Sequence, residues 1–277
     1  MELAGKSWRG YFSVGEELTS GIVDEKEGFY LGDHRPGDDA RPLHGANLYP
    51  NPNDPAIGKE LADLFRNSIE AYMKHMSRLG RLLLESIERS LDLPAKSLSS
   101  SFRRPTTLFR IFHYPPHDRV HGSKACAVGE HTDYGYLTIL KQDMSGGLQI
   151  KSDDGTWHDV SPIRNVFVVN LGDALERATG GLLRATPHRV RQRTNATSGR
   201  FSWPFFFDPS FDAPMRSLEP YLPKRMQDTA RRRRTNAPER WDRNDPLTFE
   251  GTYGDYLISK VSKVFPTLTA RVALSKM

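Results

Sequence analysis

The chain has 277 residues, of which 37% are hydrophobic and 26% are charged, a composition that suits one large globular domain or two small ones. The 39 Lys and Arg residues outnumber the 34 Asp and Glu residues, and the formal net charge of +5 is a mild excess. The single cysteine, Cys126, excludes an internal disulfide and favours a reducing, cytoplasmic location. The sequence contains no apolar run of membrane-spanning length and no signal-peptide core at its N-terminus.

The first third of the chain divides into two predicted regions. Residues 1–55 are rich in Gly, Pro, Asp and Asn and lack periodicity, so we expect an irregular N-terminal segment packed on a core. From about residue 56 to residue 93, apolar residues recur every three or four positions, which predicts a helix that ends before Pro94. Gly80 is a candidate break within this helix. Residues 56–104 are therefore predicted to be a helical support region.

After Pro105 the sequence changes to short runs of β-branched and aromatic residues, which predict strands. These runs cover residues 106–115, 136–143, 147–160, 165–173, 188–192 and 200–209. Asp153, Asp154 and Gly155 separate two strand-like halves of one run and predict a hairpin turn. A last helical pattern covers about residues 253–264. The order of elements indicates a mainly β domain over 105–277, a barrel or sandwich with flanking α-helices.

Two short segments bear on partners and location. The four arginines at 231–234 raise nucleic acid as a partner, but no stacking or base-reading residues accompany them. The favoured interpretation is a solvated loop whose arginines pair with nearby carboxylates. The last residues, Ser275, Lys276 and Met277, are similar to the Ser-Lys-Leu signal for peroxisomal import, which makes the peroxisome an alternative to the cytoplasm.

His131 and Asp133 lie two residues apart in the stretch GEHTDYGYLTIL, just ahead of an apolar run. Alternate residues of an extended chain point to the same face, so both side chains can converge on one point inside a barrel. Two ligands do not hold a metal firmly, and His188, which opens its own strand-like run, is the best third candidate. Two imidazoles and one carboxylate are the ligand set of non-haem Fe(II) oxygenases. A zinc hydrolase site is the alternative.

Arg200 and Ser202 are also two residues apart, and they share one face of the strand-like run RFSWPFFF. A guanidinium group offers two parallel hydrogen bonds to a carboxylate, and a neighbouring hydroxyl group donates another. A metal site with such a clamp suits a keto acid that chelates the metal and carries a distal carboxylate. Among Phe205, Phe206 and Phe207, we expect at least two to pack in the core and the remainder to line the cavity.

The motifs HTDYGYLTILKQD, VNLGDALERATGG, ATPHRVR and RFSWPFFFDP together closely resemble the isopenicillin-N-synthase-like 2-oxoglutarate/Fe(II)-dependent dioxygenases, over about residues 107–208. The resemblance implies a double-stranded β-helix, or jelly-roll, core. It also implies a role for six residues: iron is bound by His131, Asp133 and His188, and 2-oxoglutarate is contacted by Arg200, Ser202 and Tyr114.

This sequence departs from the family pattern in two ways. Plant members usually carry Asn where Phe112 stands, so one polar contact near the co-substrate is expected to be absent. Family members also begin with a further segment that supplies strands of the main sheet, and this chain is expected to lack it. The jelly roll would then expose an unpaired sheet edge.

The resemblance implies an enzyme that oxidises a small organic molecule with dioxygen, by hydroxylation, desaturation or ring closure, while 2-oxoglutarate is converted to succinate and CO2. One alternative is an oxidase of the same family that uses ascorbate and not 2-oxoglutarate, because such members retain the Arg-x-Ser pair. Another alternative is a catalytically silent binding protein whose arginines at 231–234 contact nucleic acid.

Overall fold

The computed structural model describes residues 7–19, 21–33, 41–116, 126–191, 198–235, 240 and 245–265. Within these ranges the strands are β1 (Gly10–Phe12), β2 (Leu18–Thr19), β3 (Ile22–Val23), β4 (Glu27–Gly32), β5 (Pro105–Tyr114), β6 (Cys126–His131), β7 (Leu137–Gln142), β8 (Leu148–Lys151), β9 (Trp157–Asp159), β10 (Val168–Leu171), β11 (His188–Arg191) and β12 (Arg200–Ser210). The α-helices are α1 (Gly58–Ser90), α2 (Asp173–Ala178), α3 (Lys224–Thr235) and α4 (Tyr253–Val264).

Two antiparallel sheets form the framework. The larger sheet has the strand order β1-β4-β5-β12-β7-β10, and the smaller sheet has the order β6-β11-β8-β9. Residues of β5, β7, β10 and β12 line a single cavity together with residues of β6, β8 and β11, so the cavity lies between the sheets. The prediction of a mainly β protein with flanking α-helices is confirmed.

Helix α1 packs on the face of the larger sheet that is turned away from the cavity. Its buried residues recur at helical spacing and are Ala62, Ile69, Met73, Met76, Gly80, Leu84 and Glu88. The predicted break at Gly80 is wrong, because the helix continues through this position without interruption. A Cβ atom at Gly80 would lie 2.6 Å from Cγ of Phe207 on β12. The glycine therefore permits a close approach of helix and sheet.

The expectation of irregular structure over residues 1–55 is wrong for two segments. β1 pairs with β4, and β4 pairs with β5 over six residues, so the N-terminal region extends the larger sheet. β4 reads EGFYLG, in which Tyr30 and Leu31 are buried, but its flanking glycines masked the strand pattern in the sequence. The expected unpaired edge is not found at β5, which has β4 on one side and β12 on the other.

Two further predictions are confirmed. The hairpin turn at 153–155 joins the paired strands β8 and β9. The C-terminal helix is α4, and reciprocal hydrogen bonds between Thr252 and Asp255 cap its first turn. β6 and α2 were not predicted, since β6 is built of small and charged residues and α2 has only six residues.

The four arginines at 231–234 lie on α3, so the expectation of a loop there is wrong. Arginine is a good helix former, which makes a run of four compatible with a helix. The expected pairing with carboxylates is found for Arg234, which lies 2.7 Å from Glu219, and for Arg231, which lies 3.9 Å from Asp228. Arg233 instead donates to the carbonyl oxygen of Leu182.

The predicted import signal at residues 275–277 lies outside the described residues. In the part of the chain that the structure describes, no helix is both long enough and apolar enough to cross a membrane.

Candidate active site

Strand pairing brings the two predicted histidine ligands together. His131 ends β6 and His188 begins β11, and the two residues are direct partners in the antiparallel register. Their imidazole centroids lie 4.2 Å apart. Asp133 follows two residues after β6, and its Oδ1 lies 3.9 Å from Nε2 of His188. One candidate ligand atom from each residue lies within 4.8 Å of the others, so all three can reach one metal ion.

Backbone carbonyl groups orient both imidazole rings. Nδ1 of His131 lies 2.9 Å from the carbonyl oxygen of Gly129, and Nδ1 of His188 lies 3.1 Å from that of Thr186. A ring that donates its Nδ1 proton to a carbonyl group presents Nε2 as a lone-pair donor. Both histidines are therefore held in the tautomer that binds a metal through Nε2.

Asp133 is oriented by two hydrogen bonds to one of its oxygens. Its Oδ2 accepts from Oγ1 of Thr138 at 2.5 Å and from Nδ2 of Asn170 at 2.6 Å, which leaves Oδ1 for a metal. Burial opposes ionisation of Asp133, but the two histidines and these hydrogen bonds lower the pKa of the carboxyl group overall. Burial and the neighbouring His188 lower the pKa of His131 to about 4. Without metal, the site therefore favours an ionised Asp133 beside a neutral His131.

Arg200 and Ser202 lie on β12 with their side chains buried in the cavity wall. The Arg200 guanidinium stacks on the Tyr114 ring at 4.7 Å, and its Nε donates to the carbonyl oxygen of Gly146 at 2.7 Å. Its Nη2 makes only a long contact of 3.5 Å with Gln142. Its Nη1 is buried and has no hydrogen-bond partner among the described residues. This guanidinium group is thus fixed in place with one donor unused.

A buried carboxylate supports the loop that carries the candidate ligands. The backbone N–H of Asp173 donates to the carbonyl oxygen of Asp133 at 2.8 Å. The Asp173 carboxylate accepts from Arg240 at 2.5 Å and from Tyr256 at 2.6 Å. Arg240 also donates to Oγ1 of Thr132, which lies between the two ligand candidates, at 2.6 Å. The sequence analysis missed this support because its members are far apart along the chain.

Comparison with known proteins identifies the family. A model of the 2OG-Fe(II) oxygenase superfamily matches residues 105–209. A probable iron/ascorbate oxidoreductase of Dictyostelium discoideum is 42% identical over 98% of this chain and 77% of its own length. The chain belongs to the 2OG-Fe(II) oxygenase superfamily. A 1-aminocyclopropane-1-carboxylate oxidase of the same organism, 33% identical over 96% of this chain and 77% of its own length, is a further relative.

Solved structures of the superfamily share the fold. A full-length Neurospora crassa protein, crystallised in complex with alpha-KG and thymine, superposes with a TM-score of 0.70 over 94% of this chain and 75% of its own, at 24% identity. The predicted jelly-roll core is confirmed. The family assignment makes the protein an oxidoreductase of the 2-oxoglutarate/Fe(II) oxygenase superfamily, and it implies dioxygen and a small molecule as substrates.

The residues of this oxygenase fit the two groups that the family uses. The site offers two Nε2 atoms and one carboxylate oxygen, a donor set typical of non-haem Fe(II). The unused Nη1 of Arg200 fits a carboxylate oxygen of 2-oxoglutarate, because a buried donor without a partner is costly until a ligand satisfies it.

The cavity of this oxygenase has a volume of about 1140 Å³, counting its open mouth. Phe206 lines it, whereas Phe205 and Phe207 are fully buried and are not part of its lining, which agrees with the expected division of the three rings. Phe112 also lines it, which places an apolar ring at this position of the cavity wall.

Four residues of the cavity wall with acidic or basic side chains were missed in the sequence analysis: Glu17, Lys26, Arg110 and Asp208. Arg110 has a sequence signal that was available, since it lies four residues before Tyr114 and so faces the same side of β5. Glu17 and Lys26 have none, because they belong to the segment that the sequence predicted to be irregular.

Proposed function

We propose that this oxygenase couples the oxidation of a small organic molecule to the conversion of 2-oxoglutarate into succinate and CO2. In this proposal, the iron ligands are His131, Asp133 and His188, and the distal carboxylate of 2-oxoglutarate is bound by Arg200 and Ser202. The observation that carries the proposal is the buried, unused Nη1 of Arg200 in the cavity that also contains the three ligand candidates.

The side chains of the site have separate tasks. Bound iron would supply the redox chemistry with dioxygen, and three protein ligands leave coordination positions for the co-substrate. Tyr114 holds the Arg200 guanidinium in one plane by stacking, so that its donors meet a carboxylate without reorganisation. Thr138 and Asn170 hold Asp133 in its ligating orientation. The apolar rings of Phe112 and Phe206 limit water in the cavity.

The two alternatives to this proposal are an oxidase that uses ascorbate and a protein that binds nucleic acid. One Dictyostelium relative is named a probable iron/ascorbate oxidoreductase and the other is named an oxidase, which favours the alternative of an oxidase that uses ascorbate. Nucleic-acid binding is disfavoured, because Arg231 and Arg234 pair with carboxylates and Arg233 contacts a carbonyl oxygen. The binding of nucleic acid through phosphates requires arginines that are available to neutralise them.

Release of labelled CO2 separates the proposal from the oxidase alternative. The protein is incubated with Fe(II), dioxygen and 2-oxoglutarate labelled in its C1 carboxylate, with and without ascorbate. We expect labelled CO2 and succinate in equal amounts, and their loss in His188→Ala. His158→Ala is the matched control, since His158 is an exposed histidine of β9. Dioxygen uptake that requires ascorbate and releases no labelled CO2 would favour the oxidase.

A further inference from the structure

Arg110 is a second arginine in the wall of the same cavity, separate from the Arg200 clamp. On β5 it shares the inward face with Leu108, Phe112 and Tyr114, all of which line the cavity. Tyr114 is the register partner of Arg200, and Arg110 lies four residues away along the strand, which is about 13 Å. The Arg200 guanidinium is held by Tyr114 and by the carbonyl oxygen of Gly146, and the proposed function assigns it to 2-oxoglutarate, so Arg110 is available for a different group.

Aromatic rings surround the Arg110 guanidinium group. Its central carbon lies 4.2 Å from the Tyr30 ring centroid, 4.3 Å from that of Trp8 and 4.8 Å from that of Phe206. These rings fix the plane of the group and attract its charge, but they accept no strong hydrogen bond. Within the described residues, Arg110 makes no hydrogen bond, and its Nε is buried without a partner. The cation is thus positioned with its donors unused.

The charged neighbours of Arg110 are largely committed to one another. Glu17 approaches Nη1 of Arg110 only to 4.0 Å. One oxygen of Glu17 accepts from the Tyr30 hydroxyl group at 2.8 Å, and the other lies 2.8 Å from Nζ of Lys26. Lys26 also contacts Asp24, whose pKa is raised by burial. The nearest carboxylate is therefore shared between Lys26 and Tyr30, and it does not satisfy the hydrogen-bonding capacity of Arg110.

We propose that Arg110 binds a carboxylate group of the molecule that is oxidised, and that this substrate is a small organic acid with an apolar body. β5 and β7 are separated by β12 alone, and the register places Leu140 of β7 opposite Arg110 at about 10 Å, two residues from Thr138, which donates to Asp133. The lining of the cavity also includes apolar side chains, among them Leu108, Phe206 and Leu257. The inference rests on the proposed function, which assigns 2-oxoglutarate to Arg200.

Paired acids and amides test this inference. The protein is loaded with Fe(II) and 2-oxoglutarate without dioxygen, and the visible absorption of the chelate is recorded first. Phenylacetate, 3-phenylpropionate and octanoate, each beside its primary amide, are then titrated calorimetrically. At least one acid should bind about 10- to 100-fold more tightly than its amide, as expected for charge-assisted hydrogen bonds. Arg110→Gln should remove this difference and keep the affinity for 2-oxoglutarate.

Two further variants make the test specific. Arg81→Gln is the matched control, because the Arg81 guanidinium also lies over an aromatic ring, that of Phe207, but outside the cavity. It should keep the acid preference. Arg110→Lys retains the positive charge but lacks the planar guanidinium group, so its preference for acids over amides should be reduced. This variant also keeps the test valid if Arg110→Gln fails to fold. Thermal unfolding of each variant checks that it is folded.

The outcomes separate the two proposals. If the chelate forms but no acid is preferred over its amide, or if the preference survives in Arg110→Gln, the inference is wrong while the proposed function stands. If Arg110→Gln loses affinity for 2-oxoglutarate itself, Arg110 binds the co-substrate and the inference is also wrong. If no chelate forms in the folded wild-type protein, the proposed function fails, and the inference fails with it.

Discussion

Replacing Arg200 by Met should weaken the binding of 2-oxoglutarate and leave the stability of the ligand-free protein nearly unchanged. Arg200 is 2% exposed, and its Nη1 has no hydrogen-bond partner among the described residues. Burying this group is costly without a ligand, and Met occupies similar space without unsatisfied donors. We therefore expect the free energy of unfolding of the ligand-free protein to change by no more than about 1 kcal/mol, because the hydrogen bond to Gly146 that is lost offsets the relief.

The ligand-bound state should respond differently. Truncating one partner of a buried, hydrogen-bonded charge pair costs roughly 2–5 kcal/mol, so the dissociation constant of 2-oxoglutarate should rise by a factor of about 30 to several thousand. Ser202→Ala removes a single neutral hydrogen-bond donor and should raise the dissociation constant of 2-oxoglutarate only about 2- to 10-fold.

Calorimetric titration of 2-oxoglutarate into metal-loaded protein without dioxygen measures these dissociation constants, and urea unfolding of the free protein measures stability. Arg81→Met is the control for removing an arginine that stacks on an aromatic ring elsewhere. An unchanged dissociation constant in Arg200→Met would refute the clamp. A loss of several kcal/mol of stability in the free protein would instead identify Arg200 as a structural residue.

Three further predictions follow from individual contacts. Asn170→Leu removes the 2.6 Å hydrogen bond to Asp133 and should weaken Fe(II) binding about 10- to 100-fold without loss of fold, measured by metal titration; unchanged affinity would mean that Asn170 does not orient the ligand. Because burial and the neighbouring His188 lower the pKa of His131 from 6.5 to about 4 in the folded protein, the unfolded chain binds more protons in this range, so the metal-free protein should become less stable as the pH falls from 6.5 to 4. Urea unfolding across this pH range should show a smaller loss of stability in His131→Asn than in the wild type. An identical loss in both proteins would show that His131 is not the group responsible. Gly80→Leu should lower the free energy of unfolding by about 1–3 kcal/mol through a clash with Phe207, whereas Ser86→Leu on the exposed face of α1 should change it by less than about 0.5 kcal/mol.

Short sequence patterns were enough to predict many residues of the candidate active site. Spacing by two residues predicted that His131 and Asp133, and likewise Arg200 and Ser202, share one face. Strand alternation places Arg200 and Ser202 on one face of β12, whereas Asp133 lies two residues beyond the end of β6. The register of β6 and β11, which sets His188 directly opposite His131, could not be read from the sequence. This register depends on pairing between residues that are more than fifty positions apart, and the spacing of residues within a short segment does not predict such pairing.

Other features depend on contacts that local patterns do not contain. The strand β4 was missed because glycines flank its apolar residues, and its pairing with β1 and β5 makes it a strand. Gly80 was interpreted as a helix break, but close packing against Phe207 explains the glycine. The surroundings of Arg110 were also missed, because Trp8 and Glu17 approach it from a segment more than ninety residues earlier in the chain.

Formation of the iron chelate tests the central claim most directly. Fe(II) and then 2-oxoglutarate are added to the protein without dioxygen, and the weak visible charge-transfer band of the chelate is followed in the wild type, in Asp133→Ala and in the control His158→Ala. We expect a saturable band in the wild type and in His158→Ala, and no band in folded Asp133→Ala. A folded wild-type protein without a band, or a band of equal strength in Asp133→Ala, would contradict the assignment of iron to His131, Asp133 and His188.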